Sequence, residues 1–123
     1  MTNNNPLKDR NVFISGPMTG YEHYNLDSFI RAHLLVKYSY ANDVYNPALN
    51  WLTEPEAVSE KRHYEDYLAE CCAELSRRIE DARPYWDVLL RLHGWEKSKG
   101  AITETELDTK LGINIIDMQD LPF

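Results

Sequence analysis

Residues 90–116, LRLHGWEKSKGAITETELDTKLGINII, decide the fold. They read as the end of an apolar strand, a glycine-containing turn, a helix over Gly100–Leu111 and a second strand over Ile113–Ile116. Gly112 stands where a helix C′ residue is expected, because glycine accepts the left-handed backbone that ends many helices. Within the helix, Glu104 shares a stripe with Leu107 and Leu111, since side chains three, four and seven apart lie on one face. A carboxylate on that stripe points to the core side, where its charge is costly unless compensated. The helix N-terminus supplies part of the compensation through its free N–H groups and its dipole.

The same alternation extends toward the N-terminus. Asn11–Ser15 (NVFIS) is a compact apolar run that predicts a buried strand, stopped by Gly16-Pro17. Asn25 or Asp27 can cap a helix running to about Tyr40, with Phe29, Ile30, His33, Leu34, Lys37 and Tyr38 as its stripe. Asn42-Asp43 is a turn, and Val44–Asn46 a short strand stopped by Pro47. Pro55 suits the first turn of a long helix, with Thr53 or Glu54 near its cap. Its stripe is Tyr64, Leu68, Cys71, Cys72, Leu75 and Ile79, its charges cover the other face, and Pro84 stops it. Asp87–Leu92 is a third strand; residues 1–9 read as a short mobile leader and residues 117–123 as a tail. The order β-α-β-α-β-α-β predicts an α/β fold, a small parallel four-stranded sheet flanked by helices in a single domain over residues 1–123. In such folds ligands bind at the carboxyl ends of the strands. The loops there are SGPMTG, NPALN and HGWEKSKGA, and the polar and glycine-rich residues concentrate in them.

Composition narrows the function classes. With 13 Lys and Arg against 20 Asp and Glu, the chain carries a formal charge of −7, which argues against a nucleic-acid polymer as partner. A single nucleotide held by a few local donors remains compatible. No apolar run reaches transmembrane length, so no membrane partner is expected. The polar start MTNNNPLKDR lacks the apolar core of a signal peptide, and a cytoplasmic location is the expectation. Cys71 and Cys72 are adjacent, a spacing that suits neither an ordinary disulfide nor a metal knuckle. No zinc-ligand spacing, P-loop, GxGxxG or serine elbow occurs, and neither metal nor cofactor is expected.

Several residues carry two readings. The runs Ser15-Gly16-Pro17-Met18-Thr19-Gly20 and Ser98-Lys99-Gly100 can bring backbone N–H groups to an anion, and a helix beginning after Ser98 offers its N-terminus. Ser98 is equally a plain helix cap. An acidic residue early in a helix is commonly just stabilising, and Thr103 with Glu106 offers a capping box that would start the helix later and make Glu104 incidental. Asp87 opens an apolar strand and suits a structural hydrogen bond as well as a substrate contact. Trp95 and Tyr21 can stack on a base or simply pack at a loop edge. His93 faces solvent on this reading.

Three blocks resemble the nucleoside 2-deoxyribosyltransferase-like proteins, small proteins of which many come from bacteriophages, in a superfamily that includes deoxynucleoside monophosphate N-glycosidases. The blocks are VFISGPMTGYEHYN (residues 12–25), VYNPA (44–48) and WDVLLRLHGWEKSKGAITETELDTKLG (86–112). The third is the most specific: Asp, an apolar strand, GW, Ser, GA, then Glu four residues past the glycine. The resemblance implies a flavodoxin-like domain and a homo-oligomer with active sites near subunit interfaces. It implies cleavage or transfer of the N-glycosidic bond of a deoxynucleoside or its monophosphate. Glu104 would be the nucleophile; Asp87, like the family's acid before the third strand, would join the catalytic residues by supporting the loop or contacting the substrate. Ser98, with backbone N–H groups of Gly16 and Gly100, would hold the sugar or its 5′-phosphate. Asn46 would line the pocket, with Ser15, Met18, Thr19, Gly20 and Trp95 completing the substrate contacts. The chain departs from the pattern in three places. An aspartate common on the family's central helix is replaced in the region of Cys71 or Glu74, residues 77–86 (RRIEDARPYW) look like an insertion, and the proline of its LPGW is His93. The acid–base partner is therefore unassigned. The alternative from another class is a binding protein that sequesters a nucleotide or nucleotide-derived signal in the same pocket without turnover.

Overall fold

The computed structural model describes residues 5–18, 25–49, 64–80 and 82–123, the side chains of 64–67 excepted. Strand β1 is Asn11–Ser15, helix α1 Leu26–Tyr38 and strand β2 Asp43–Tyr45. Helix α2 is Tyr64–Leu75, followed by the two-residue strands β3, Arg78–Ile79, and β4, Arg83–Pro84. Strand β5 is Val88–Arg91, helix α3 Lys99–Leu111 and strand β6 Asn114–Asp117. The main sheet is all parallel in the order β2-β1-β5-β6, as the alternation of elements predicts. The chain leaves β1 toward one side of the sheet for β2 and returns to the other side for β5. The carboxyl ends of β1 and β5 therefore flank the point where strand order reverses, the usual ligand crevice of an open α/β sheet.

Every residue of β1 is buried, and its period of two feeds both layers. Val12 packs with Leu7, Val36, Val88 and Leu90, and Ile14 with Phe29, Ala32, Ala48 and Leu92. On the opposite face Phe13 meets Cys71, Leu75, Trp86, Leu89 and Ile113. There Phe13 stacks on Tyr45 at 4.7 Å and meets Trp86 edge-on at 5.8 Å. Each of these large apolar side chains contributes about 1.5–3 kcal/mol on full burial. Helices α2 and α3 lie on this Phe13 face, which also carries the candidate site.

Four local expectations change. Helix α1 buries Phe29, Ala32 and Val36, whereas Leu34 is 49% and Tyr38 80% exposed, so the buried stripe is rotated from the one expected. Asn25 precedes α1 in a left-handed conformation, and its amide donates to the Pro17 carbonyl instead of capping the helix. Of the expected leader, residues 5–9 are anchored: Leu7 is fully buried, and the Asn5 amide donates to the Ser39 carbonyl. The long helix ends at Leu75, and Ile79 lies in a hairpin. The Trp86 indole N–H donates to the Glu74 carbonyl at 3.0 Å, satisfying a helix-end acceptor that a further turn would claim. The start expected at Pro55 lies outside the described residues.

Candidate functional site

Helix α3 is set by signals within a few residues. The Ser98 hydroxyl accepts from the Ala101 N–H at 3.2 Å, and Gly112 closes the helix at φ 76°. The helix therefore starts before Thr103, whose hydroxyl donates to the Lys99 carbonyl inside it, and the alternative capping box does not form. From this start Ala101, Glu104 and Asp108 make up the buried face, with Leu107 and Leu111 on its flank.

Glu104 meets the last residue of β1 at the carboxyl edge of the sheet. The Ser15 hydroxyl donates to Glu104 Oε1 at 2.5 Å, with Ser15 fully buried and Glu104 only 6% exposed. Burial raises the Glu104 pKa to about 7, against the pull of the Ser15 hydroxyl and of the Cys71 thiol on α2. The expected help from the helix N-terminus is small, because Glu104 lies six residues past the Ser98 cap and that effect fades within the first turn. Burial thus disfavours the charged form, and the carboxylate does not face bulk solvent.

One turn further, Asp108 is fully buried, and among the described residues neither of its carboxylate oxygens has a hydrogen-bond partner. Burial raises its pKa to about 7 against the pull of the Arg91 guanidinium. Arg91 is itself engaged, donating to Asp117 at 2.6 and 3.0 Å and lying 3.6 Å over the Trp95 ring. Sequence reasoning missed Asp108. The signal was present in the spacing 101, 104, 108, a buried helix face offset from the one drawn through Leu107.

The other predicted site residues divide. Ser15 and Glu104 come together, with Gly16 following Ser15 directly. A Cβ on Gly16 would sit 2.8 Å from Leu92 Cβ, so glycine is required there for close packing of the two strand ends. Ser98 and Gly100 lie in the first turn of α3, Ser98 engaged as a cap. Met18 packs half-buried in the Ile14 cluster. Trp95 has one face covered by Arg91. Asn46 is turned away from Glu104. Its amide donates toward the Phe29 carbonyl on α1, and its side-chain oxygen accepts from the Ala48 N–H. Thr19, Gly20 and Tyr21 lie outside the described residues. His93 is exposed, as expected.

Asp87 is corrected. Its carboxylate accepts from the Asn11 N–H at 2.8 Å, and its own N–H donates to the Asn11 carbonyl. Asn11 begins β1 and Ser15 ends it, so Asp87 lies at the opposite edge of the sheet, roughly 13 Å from the Glu104 side at the usual strand rise. It clamps strand starts and takes no part in the site.

Among the described residues, no group of three or more His, Cys, Asp and Glu side chains is arranged to hold a metal ion, and no helix is long and apolar enough to cross a membrane. In comparison with known proteins, residues 10–117 fit the family model described as a domain of unknown function, DUF4406, and the chain belongs to that family. No curated protein and no solved structure matches it.

Proposed function

We propose that this DUF4406 protein cleaves or transfers the N-glycosidic bond of a deoxynucleoside or deoxynucleoside monophosphate, with Glu104 as nucleophile. One observation carries the reading: a buried carboxylate is held by a serine hydroxyl at the carboxyl ends of parallel strands, beside the point where strand order reverses. The likeness of the 86–112 block to the deoxyribosyltransferase-like proteins supplies the chemistry. An ionised Glu104 oxygen bonds to C1′ as the C1′–N bond breaks, through an oxocarbenium-like transition state. The base departs with the bonding pair and takes up a proton, leaving a covalent glycosyl-enzyme. Water, or the nitrogen of a second base, then displaces the Glu104 oxygen from C1′ and restores the carboxylate. Ser15 stabilises the ionised form by donating to it, so the nucleophile is available above pH 7.

Free base released from a panel of deoxynucleosides and their monophosphates tests the reading. Wild-type release that falls by about 10³-fold or more in Glu104→Gln supports it. Release that survives the substitution contradicts it. A second reading, a binding protein without turnover, is favoured by the commitment of Ser98 and Asn46 to structural hydrogen bonds. It predicts tight binding across the panel, no release, and no dependence on Glu104.

The same reading makes the protein a cytoplasmic homo-oligomer. The long helix is one candidate interface, but its Cys71 and Leu75 are buried against the chain's own sheet. Among the described residues, Leu34, Tyr38 and Tyr40, with Leu49 and Phe123, are large exposed apolar side chains that an assembly would cover. Sedimentation as a monomer at micromolar concentration overturns the oligomer.

A further inference from the structure

The last torsion of a glutamate is broad and roughly two-fold, so a neighbour must decide which carboxylate oxygen faces which way. For Glu104 that neighbour is Ser15, whose hydroxyl donates to Oε1 at 2.5 Å from a position 89 residues away in the chain. Ser15 is firmly seated. It closes β1 beside Arg91 of β5, its carbonyl accepts from the Leu92 N–H at 2.8 Å, and it is fully buried. The next residue, Gly16, lies so close to Leu92 that a Cβ there would come within 2.8 Å of it, so the strand end is packed without slack. A serine hydroxyl has one proton to donate. With that proton committed to Glu104 and no exposed surface, Ser15 is taken out of the substrate contacts that the family resemblance implies. We infer that Ser15 is a positioning residue: it fixes the Glu104 carboxylate by Oε1 and thereby makes Oε2 the oxygen that bonds to C1′. The consequence for catalysis rests on the glycosyl-transfer reading; the Ser15 bond and its effect on Glu104 do not.

One hydrogen bond then serves both steps. As Oε2 bonds to C1′, the C1′–N pair leaves with the base, and Oε1 becomes the carbonyl oxygen of the new ester. When water bonds to C1′, the C1′–Oε2 pair returns to the carboxylate and the surplus proton of the water goes to solvent. Ser15 donates to Oε1 throughout and keeps its own proton. Its donation is aimed at the group on which negative charge reappears as the ester breaks, the kind of fixed contact that lowers a barrier without reorganisation. The titratable groups around the carboxyl are Cys71 and Cys72 on α2 and, one turn along α3, Asp108. Burial raises both thiols, so the cysteines are uncharged at neutral pH. Among the described residues Glu104 makes no ion pair, and Arg91, the neighbour of Ser15 in the sheet, donates to Asp117.

The test pairs a titration with kinetics. The Glu104 carboxyl is followed by carbon NMR on protein labelled at glutamate, its resonance assigned by its loss in Glu104→Gln. Ser15→Ala removes the hydroxyl, and the Glu104 midpoint is expected to rise by about one unit, the share of a hydroxyl donor to a charged acceptor. Ser15→Thr keeps a hydroxyl and is expected to restore the midpoint at least partly. Ser39→Ala removes another buried serine hydroxyl, at the end of α1, and should leave the midpoint in place. In base release at a pH well above both midpoints, Ser15→Ala should lower kcat by about ten- to a hundredfold with KM nearly unchanged, since orientation is lost and not affinity. Ser15→Thr should recover part of that loss. A midpoint unchanged in Ser15→Ala, or a raised KM with kcat intact, overturns the inference. Should Ser15→Ala fail to fold, Ser15→Cys puts a weaker donor in its place, and a midpoint equal to that of wild type overturns it. If wild-type protein releases no base, the enzymatic reading fails and the assignment of Oε2 with it, while the titration still decides whether Ser15 holds Glu104.

Discussion

The two edges of one sheet are built on opposite plans. At the amino edge nearly every polar group is answered. Asn11 receives from Asn42 at 2.7 Å and donates its own amide to the Tyr85 carbonyl at 2.9 Å. Asp87 accepts from the Asn11 N–H, and the Tyr85 hydroxyl donates to Asp43 at 2.5 Å. At the carboxyl edge the buried Glu104 receives a hydrogen bond from Ser15, while the carboxylate of Asp108 has no partner among the described residues. A satisfied polar network rigidifies, whereas an under-satisfied one is retained at a cost to stability. The difference sets a satisfied polar network at one edge and under-satisfied buried carboxyls at the other.

The largest effect that would break this contrast is a pH dependence from the carboxyl edge alone. Both raised carboxyls keep their protons in the folded chain when the unfolded chain has lost them. The contribution of these two groups to stability is therefore greatest below about pH 4, falls as pH rises toward 7, and is flat above it, by about 3–4 kcal/mol for each group. Asp108→Asn should remove its share and stabilise the protein at pH 8. Urea midpoints across pH check this, and a variant profile parallel to wild type would contradict it.

The amino edge offers the complementary test. Asp87→Ala removes a charge-assisted bond and orphans the Asn11 N–H, which should cost about 2–3 kcal/mol in urea unfolding. Activity per folded molecule should be unchanged. A large activity loss at intact stability would return Asp87 to the site.

Legibility followed the range of the forces involved. Strand β1 and helix α3 were readable because their signals lie within a few residues: a β-branched apolar run before Gly16-Pro17, the Ser98 cap, and Gly112. The parallel sheet followed from the alternation of those elements. The face of α1 was not readable, because apolar Leu34 and Tyr38 match Phe29 and Val36 in character and only docking on the sheet chooses between them. The end of α2 depends on Trp86, twelve residues beyond the carbonyl it satisfies. Within the site the inward face of Glu104 was legible through the stripe it shares with Leu107 and Leu111. The hydrogen bond from Ser15, the burial of Asp108 and the bond between Asp87 and Asn11 depend on contacts between elements far apart in the chain.

Two smaller effects sharpen the picture. Gly16→Ala forces a Cβ to within 2.8 Å of Leu92 Cβ, and the resulting overpacking should cost about 1–3 kcal/mol while displacing Ser15. Its signature is lowered activity beyond the stability loss; full activity per folded molecule would mean that the strand end absorbs the strain. Ser98→Ala removes only a cap and should cost about 1 kcal/mol in thermal or urea unfolding. A KM rise well beyond that would give Ser98 the substrate contact that its cap geometry leaves undemonstrated.

The central claim is most directly tested by trapping the reaction part-way. Incubation with a deoxynucleoside or its monophosphate carrying fluorine at C2′, followed by acid quench and peptide mass spectrometry, should find a glycosyl adduct on the peptide containing Glu104, and none in Glu104→Gln. An adduct on another side chain, or base release from the unmodified substrate with no adduct at Glu104, would contradict the account.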